Sequence, residues 1–191
     1  MTKQSNVKIV AFVSLAGAGK SSATEYVTSK GIPKIYGGGL IVQGVIDQGL
    51  EPTQENEKKY REEMRAKHGD DVFINMCIEQ MKNLIDAGQK KIVFDGLYAW
   101  TEYRALKHAF PGELTVIAIV TPKHLRYERM ANREFRPLQP HEVDQRDWAE
   151  IENLEKGGPI AIADYFIHND TDLDNLHRQI DEVLEHIKFN Q

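Results

Sequence analysis

The sequence predicts an α/β fold of three layers, with a mostly parallel, five-stranded sheet held between two sets of helices. Two observations predict it. Short apolar runs alternate with helical stretches, and a Gly-Lys-Ser loop joins the first run to the first helix. At 191 residues the chain suits one domain with a proper core, so 1–191 is read as a single unit.

Residues 7–13 are β-branched and aromatic, as in a strand buried on both faces, and residues 20–30 read as a helix closed by Gly31 and Pro33. Further strands are expected at Lys91–Asp95, Leu114–Val120 and, more weakly, Tyr165–His168. Thr53, Thr121 before Pro122, and Thr171 with Asp174 each offer a helix N-terminus a side-chain acceptor. Between Thr53 and His68 the charges alternate, with Glu55/Lys59, Glu57/Arg61 and Glu63/Lys67 one turn apart on a solvated helix. Gly37-Gly38-Gly39 and Gly157-Gly158-Pro159 read as sharp breaks beside mobile loops.

With 24 Lys+Arg against 29 Asp+Glu and a net charge of −5, the surface is not one that would neutralise a nucleic-acid backbone. No leading apolar run is long enough for a signal peptide or membrane span, so a soluble cytoplasmic protein is expected, without nucleic-acid or membrane partners and acting as a monomer or homodimer. The single Cys excludes a disulfide framework or a Cys-based zinc site. Cys77 shares a helical stripe with Phe73, Met81 and Leu84, which reads as core. The seven His show no metal-ligand spacing.

Ser14-Leu15-Ala16-Gly17-Ala18-Gly19-Lys20-Ser21-Ser22 ends as a Walker A phosphate loop does and lies between a strand and a helix. Small residues let the amides from Ala16 to Ser22 converge on phosphate oxygens, and the helix adds the positive end of its dipole. Lys20 would reach the β and γ phosphates, and the Ser21 hydroxyl would complete the shell of a Mg²⁺ ion bridging them. Ser14 stands where the usual pattern has glycine. The plain alternative is a Gly-rich turn that only joins strand to helix.

Asp95 closes its strand where ligands collect in doubly wound sheets, placed to orient magnesium-bound water or to take a proton from an attacking hydroxyl. Its structural alternative is to cap the turn into a helix near Thr101. Arg126, Arg129, Arg133 and Arg136 are spaced to share one helical stripe, with Arg129 and Arg133 mid-helix and Arg136 at the transition to a loop before Pro137. Four cations on one face call for an anion such as a transferring phosphoryl group, unless Glu128 and Glu134 balance them in solvent. Tyr98 and Trp100 read either as acceptor-stacking or as packing residues, and Trp148 as packing.

With loop, strand-end aspartate and arginine helix in that order, nearly the whole chain resembles the P-loop nucleoside and nucleotide kinases, adenylate kinase and dephospho-CoA kinase among them. The lid-like stretch from Arg126 to Arg133 and the closing Ala163-Asp164-Tyr165-Phe166-Ile167-His168-Asn169 are similar to dephospho-CoA kinase-like proteins. Residues 49–56 with Asp95-Gly96 are similar to archaeal-type kinases related to that family. The resemblance implies ATP with Mg²⁺ as cofactors and Asn169 near the adenine ring. It also implies a helical acceptor region over about 37–88, a lid over about 126–158, and Arg129 with Arg133 closing over the γ-phosphate. Gln43 and Tyr98 stand where related kinases carry acceptor-gripping arginines, which Arg61, Arg65 or Arg104 could replace. The expected activity is transfer of the γ-phosphate of ATP to a nucleotide or nucleoside-containing acceptor. The alternatives are dephospho-CoA kinase proper and an ATP-binding regulatory NTPase.

Overall fold

A computed structural model describes residues 6–134 and 136–189. The strands β1 (Lys8–Val13), β2 (Lys34–Tyr36), β3 (Lys91–Asp95), β4 (Leu114–Val120) and β5 (Tyr165–His168) form one parallel sheet in the order β2-β3-β1-β4-β5. With strands on both sides of it and helices over both faces, β1 is buried from Ile9 to Val13, which is why it reads as an unbroken apolar run.

Alternate residues of β1 enter opposite layers of core. Ile9, Ala11 and Val13 pack with Cys77, Ile78 and Met81 of α4 (Val72–Asp86) and Leu106 of α5 (Trp100–Ala109). Val10 and Phe12 pack with Ala23 and Val27 of α1 (Lys20–Thr28) and with Leu176, Ile180 and Leu184 of α9 (Leu173–His186). The i, i+4, i+8 spacing in α9 makes one apolar stripe, and burying each such side chain contributes about 1.5–3 kcal/mol. The three-layer fold is thus as the sequence predicts. Burial also pushes the Cys77 thiol up to about 12, in keeping with its place in the core.

The local expectations fare unevenly. Gly37-Gly38-Gly39 does not break the chain: it opens α2 (Gly37–Asp47), and the Tyr36 ring lies so close that a Cβ on Gly38 would meet it at 2.5 Å. Gly157-Gly158-Pro159 likewise lies in a short helix, α8 (Gly157–Ala161). Thr53 caps α3 (Gln54–His68) as expected, accepting from the Asn56 amide at 3.3 Å. Along α3, ion pairs join Lys58 to Glu62 at 3.8 Å and Lys59 to Glu63 at 4.0 Å, in the reverse order from the pairs expected.

Asp172, not Thr171, caps α9, and Pro122 occupies the cap of α6 (Lys123–Ala131) in place of Thr121. The helix α6 stops at Ala131, so Arg133 lies beyond it and the four arginines do not share a helical face. Trp148, on α7 (Pro140–Leu154), is 61% exposed instead of packed. Among the described residues no helix is long and apolar enough to cross a membrane.

Candidate active site

The chain leaves β1 at Val13, turns through residues 14–19 and enters α1, whose N-terminus has no side-chain cap. Gly19 makes that turn at φ 104° and passes so close to Asn169 that a Cβ there would lie 2.3 Å from the Asn169 amide nitrogen. Only glycine meets both demands. The first amides of α1 are left to an anion, and the dipole adds its positive end.

Three side chains fix the loop from behind. Asn169, just past β5, donates its amide to the Ala18 carbonyl at 2.8 Å, and the Thr121 hydroxyl faces the carbonyl oxygens of Ala18 (3.2 Å) and Asn169 (3.0 Å). Arg126 donates to the Ala16 carbonyl at 3.0 Å and is itself held by Asp147 of α7 through two bonds of 3.0 and 2.7 Å. The expected arginine stripe thus divides. Arg126 is a buried strut, whereas Arg129 donates to the Asn169 carbonyl at 3.0 Å and reaches the site, as does Arg133. The side chain of Asn169 is spent on the loop and does not line the cavity in front of it.

β3 lies beside β1, so its last residue, Asp95, emerges level with the loop, and its carboxylate pairs with the Lys20 ammonium. The Tyr98 hydroxyl accepts from the same ammonium at 3.4 Å. Burial works against the Lys20 charge, but Tyr98 and Asp95 outweigh it and hold this lysine above its ordinary range. Asp95 does not cap the next helix. Glu102 does so, accepting from the amides of Tyr98 at 2.6 Å and Ala99 at 2.8 Å.

In front of the loop opens a cavity of about 390 Å³ bordered by Ser14, Gly17, Gly19, Lys20, Ser21, Ser22 and Asp95. Two aromatic walls, Tyr36 and Tyr98, and four further cations, Arg129, Arg133, Arg146 and Lys156, complete it. Tyr98 is therefore a cavity residue, whereas Gln43 faces solvent and bonds Asp47 at 2.8 Å. Tyr36, Arg146 and Lys156 border the cavity without belonging to any motif of the sequence. Arg146 is one charge among many on an amphipathic helix, and Lys156 sits at a helix junction, so neither carries a local signal.

Both of these cations are held by Glu150 of α7, which accepts from Arg146 at 3.0 Å and from Lys156 at 2.8 Å. Burial alone would raise the Glu150 carboxyl, but Lys156 and Arg146 hold it below the usual range. Burial lowers the Lys156 amine, Glu150 opposes that, and the charges of Lys20 and Arg146 lower it further.

Five cations facing one carboxylate suit a polyanion, and the open amides of α1 suit phosphate oxygens in particular. No cluster of three or more His, Cys, Asp or Glu that could hold a metal occurs among the described residues. Ser21 and Asp95 both border the cavity and are oxygen donors of the kind that a Mg²⁺ ion carried largely by phosphate oxygens and water would take.

The AAA domain profile matches residues 10–153. A UPF0200 protein of Thermococcus onnurineus is 30% identical over 182 residues, covering 94% of this chain and 97% of that one. The UPF0200 protein of Sulfurisphaera tokodaii is 30% identical over 184 residues, covering 95% and 98%. Among solved structures, shikimate kinase from Bacteroides thetaiotaomicron superposes with a TM-score of 0.60 at 10% identity, covering 95% of this chain and 98% of that one. A gluconokinase from Sinorhizobium meliloti gives 0.58 at 18%, covering 99% of both chains. These likenesses bear on fold alone. The chain belongs to the UPF0200 proteins and carries an AAA domain.

Proposed function

We propose that this protein is a cytoplasmic kinase that moves the γ-phosphate of ATP to a hydroxyl of a small nucleotide or nucleoside-containing acceptor. The observation that carries the proposal is the convergence of the open N-terminus of α1, Lys20, Asp95 and four further cations on one cavity. Residues 16–22 cradle the phosphates, and Lys20 moves from Asp95 to the β and γ oxygens when they compete for its ammonium. Ser21, with Asp95 through water, would hold Mg²⁺, which when bound would offset charge on those oxygens.

Asp95, released from Lys20, takes the proton of the acceptor hydroxyl as its oxygen bonds to the γ-phosphorus. The bond from that phosphorus to the bridging oxygen breaks, and ADP leaves with the electron pair. Arg129 and Arg133, from the lid over about 126–158, spread the charge of the moving group. The acceptor enters beside Tyr36 and Tyr98, against the helices of about 37–88.

The test is ADP release with Mg²⁺ and ATP against nucleoside monophosphates, deoxynucleoside monophosphates and dephospho-CoA, beside a Lys20→Ala control. Acceptor-stimulated release that the control lacks supports the kinase and names its acceptor. Slow release indifferent to every acceptor would sink it in favour of a regulatory NTPase.

A further inference from the structure

Lys156 has no part in the phosphate loop, the strand-end aspartate or the lid arginines. It follows Glu155, whose left-handed backbone (φ 50°) ends α7 and turns the chain inward. A lysine only 2% exposed is unusual, and this one lines the cavity. Its ammonium lies 5.2 Å from the centroid of the Tyr98 ring, and that of Lys20 lies 4.9 Å from the same centroid.

Tyr98 thus has two lysines near its ring, one belonging to the phosphate loop and the other to the junction of α7 and α8. Glu150 pairs with Lys156 but also with Arg146, so one carboxylate serves two cations and the cavity keeps an excess of positive charge. Such an arrangement is costly until an anion arrives.

We propose that Lys156 is a second phosphate-contacting lysine, which binds the γ-phosphoryl group from beside Tyr98 while Glu150 positions it. This rests on the nucleotide reading of the site, not on the identity of the acceptor. In the transfer described above, Lys156 makes and breaks no bond. It adds a charge-assisted hydrogen bond to a γ-phosphoryl oxygen.

The charged and titratable groups around it are Glu150 and Arg146 of α7, Lys20 of α1, Glu102 of α5 and the Tyr98 phenol, with Asp95 bordering the same cavity. Because its surroundings disfavour the ammonium, its contribution fades on the alkaline side before that of an ordinary lysine would.

The experiment compares affinity for β,γ-imido-ATP and for ADP, both with Mg²⁺, in the wild type, Lys156→Met and Lys156→Arg, by calorimetry from pH 7 to 10. The expected result is that Lys156→Met lowers the triphosphate-over-diphosphate preference about 10-fold or more and leaves ADP affinity within about 2-fold. Lys156→Arg should keep the preference and remove its alkaline decline, which a packing role would not do. Lys156→Gln, read the same way, stands in if the methionine variant does not fold. An unchanged preference in Lys156→Met overturns the proposal while leaving the nucleotide site intact. A wild type that binds neither nucleotide overturns both.

Discussion

The Arg126 guanidinium and the Asp147 carboxylate meet through two hydrogen bonds of 3.0 and 2.7 Å, both groups more than nine-tenths buried, and so lock α6 to α7 behind the phosphate loop. Because Arg126 also donates to the Ala16 carbonyl at 3.0 Å, the pair holds the loop as well as the fold.

Removing one partner leaves a buried charge alone. Arg126→Met or Asp147→Leu should each cost about 3–5 kcal/mol in urea unfolding. The double replacement Arg126→Met with Asp147→Leu should cost clearly less than the sum of the singles. Additive losses would show that the two side chains act separately.

Gly19 and Asn169 are fitted to one another. Gly19→Ala adds a Cβ at φ 104° and 2.3 Å from the Asn169 amide, so the loop must shift. Nucleotide affinity should fall about 10-fold or more, with a loss of about 1–3 kcal/mol in stability from backbone strain. Asn169→Ala should weaken nucleotide binding by freeing the Ala18 carbonyl from its 2.8 Å bond, even though Asn169 does not line the cavity. Titration with a fluorescent ADP analogue measures both.

Cys77 offers a probe of unfolding. It is 1% exposed and its thiol is pushed up to about 12, chiefly by burial, so the folded protein should resist a disulfide reagent at pH 8. The same reagent in denaturant should label one thiol per chain, a contrast that prompt labelling of the native protein would contradict.

Glu150 gives a pH dependence of definite sign. Its carboxyl is held below the ordinary value in the folded state, so the unfolded chain binds the proton more tightly. The stability it contributes is present above its unfolded pKa, roughly 4.3. That contribution disappears as pH falls through the lower, folded value. Glu150→Gln should therefore be less stable than wild type at neutral pH, where Lys156 loses its carboxylate partner, and should show a shallower decline of stability below about pH 4.3. Parallel acid limbs in the two proteins would count against this assignment.

The sequence by itself determined the parts whose signals are local. An unbroken apolar run at β1, a Gly-Lys-Ser ending and a carboxylate closing β3 specify the parallel sheet, the phosphate loop and Asp95, because period, turn chemistry and strand-end position are written in neighbouring residues. β2 escaped because three residues with one buried side chain, Ile35, are too few to show a period, and α2 because three leading glycines of low helix propensity read as a break. What only the tertiary structure decided is how charges pair across distance. It made Arg126 a strut rather than a phosphate ligand, set Asn169 behind the loop, and brought Lys156 beside Tyr98 in the cavity of Lys20. A cation's role depends on which carboxylate, ring or carbonyl reaches it, and those partners lie 21 to 151 residues away along the chain at Arg126 and Asn169.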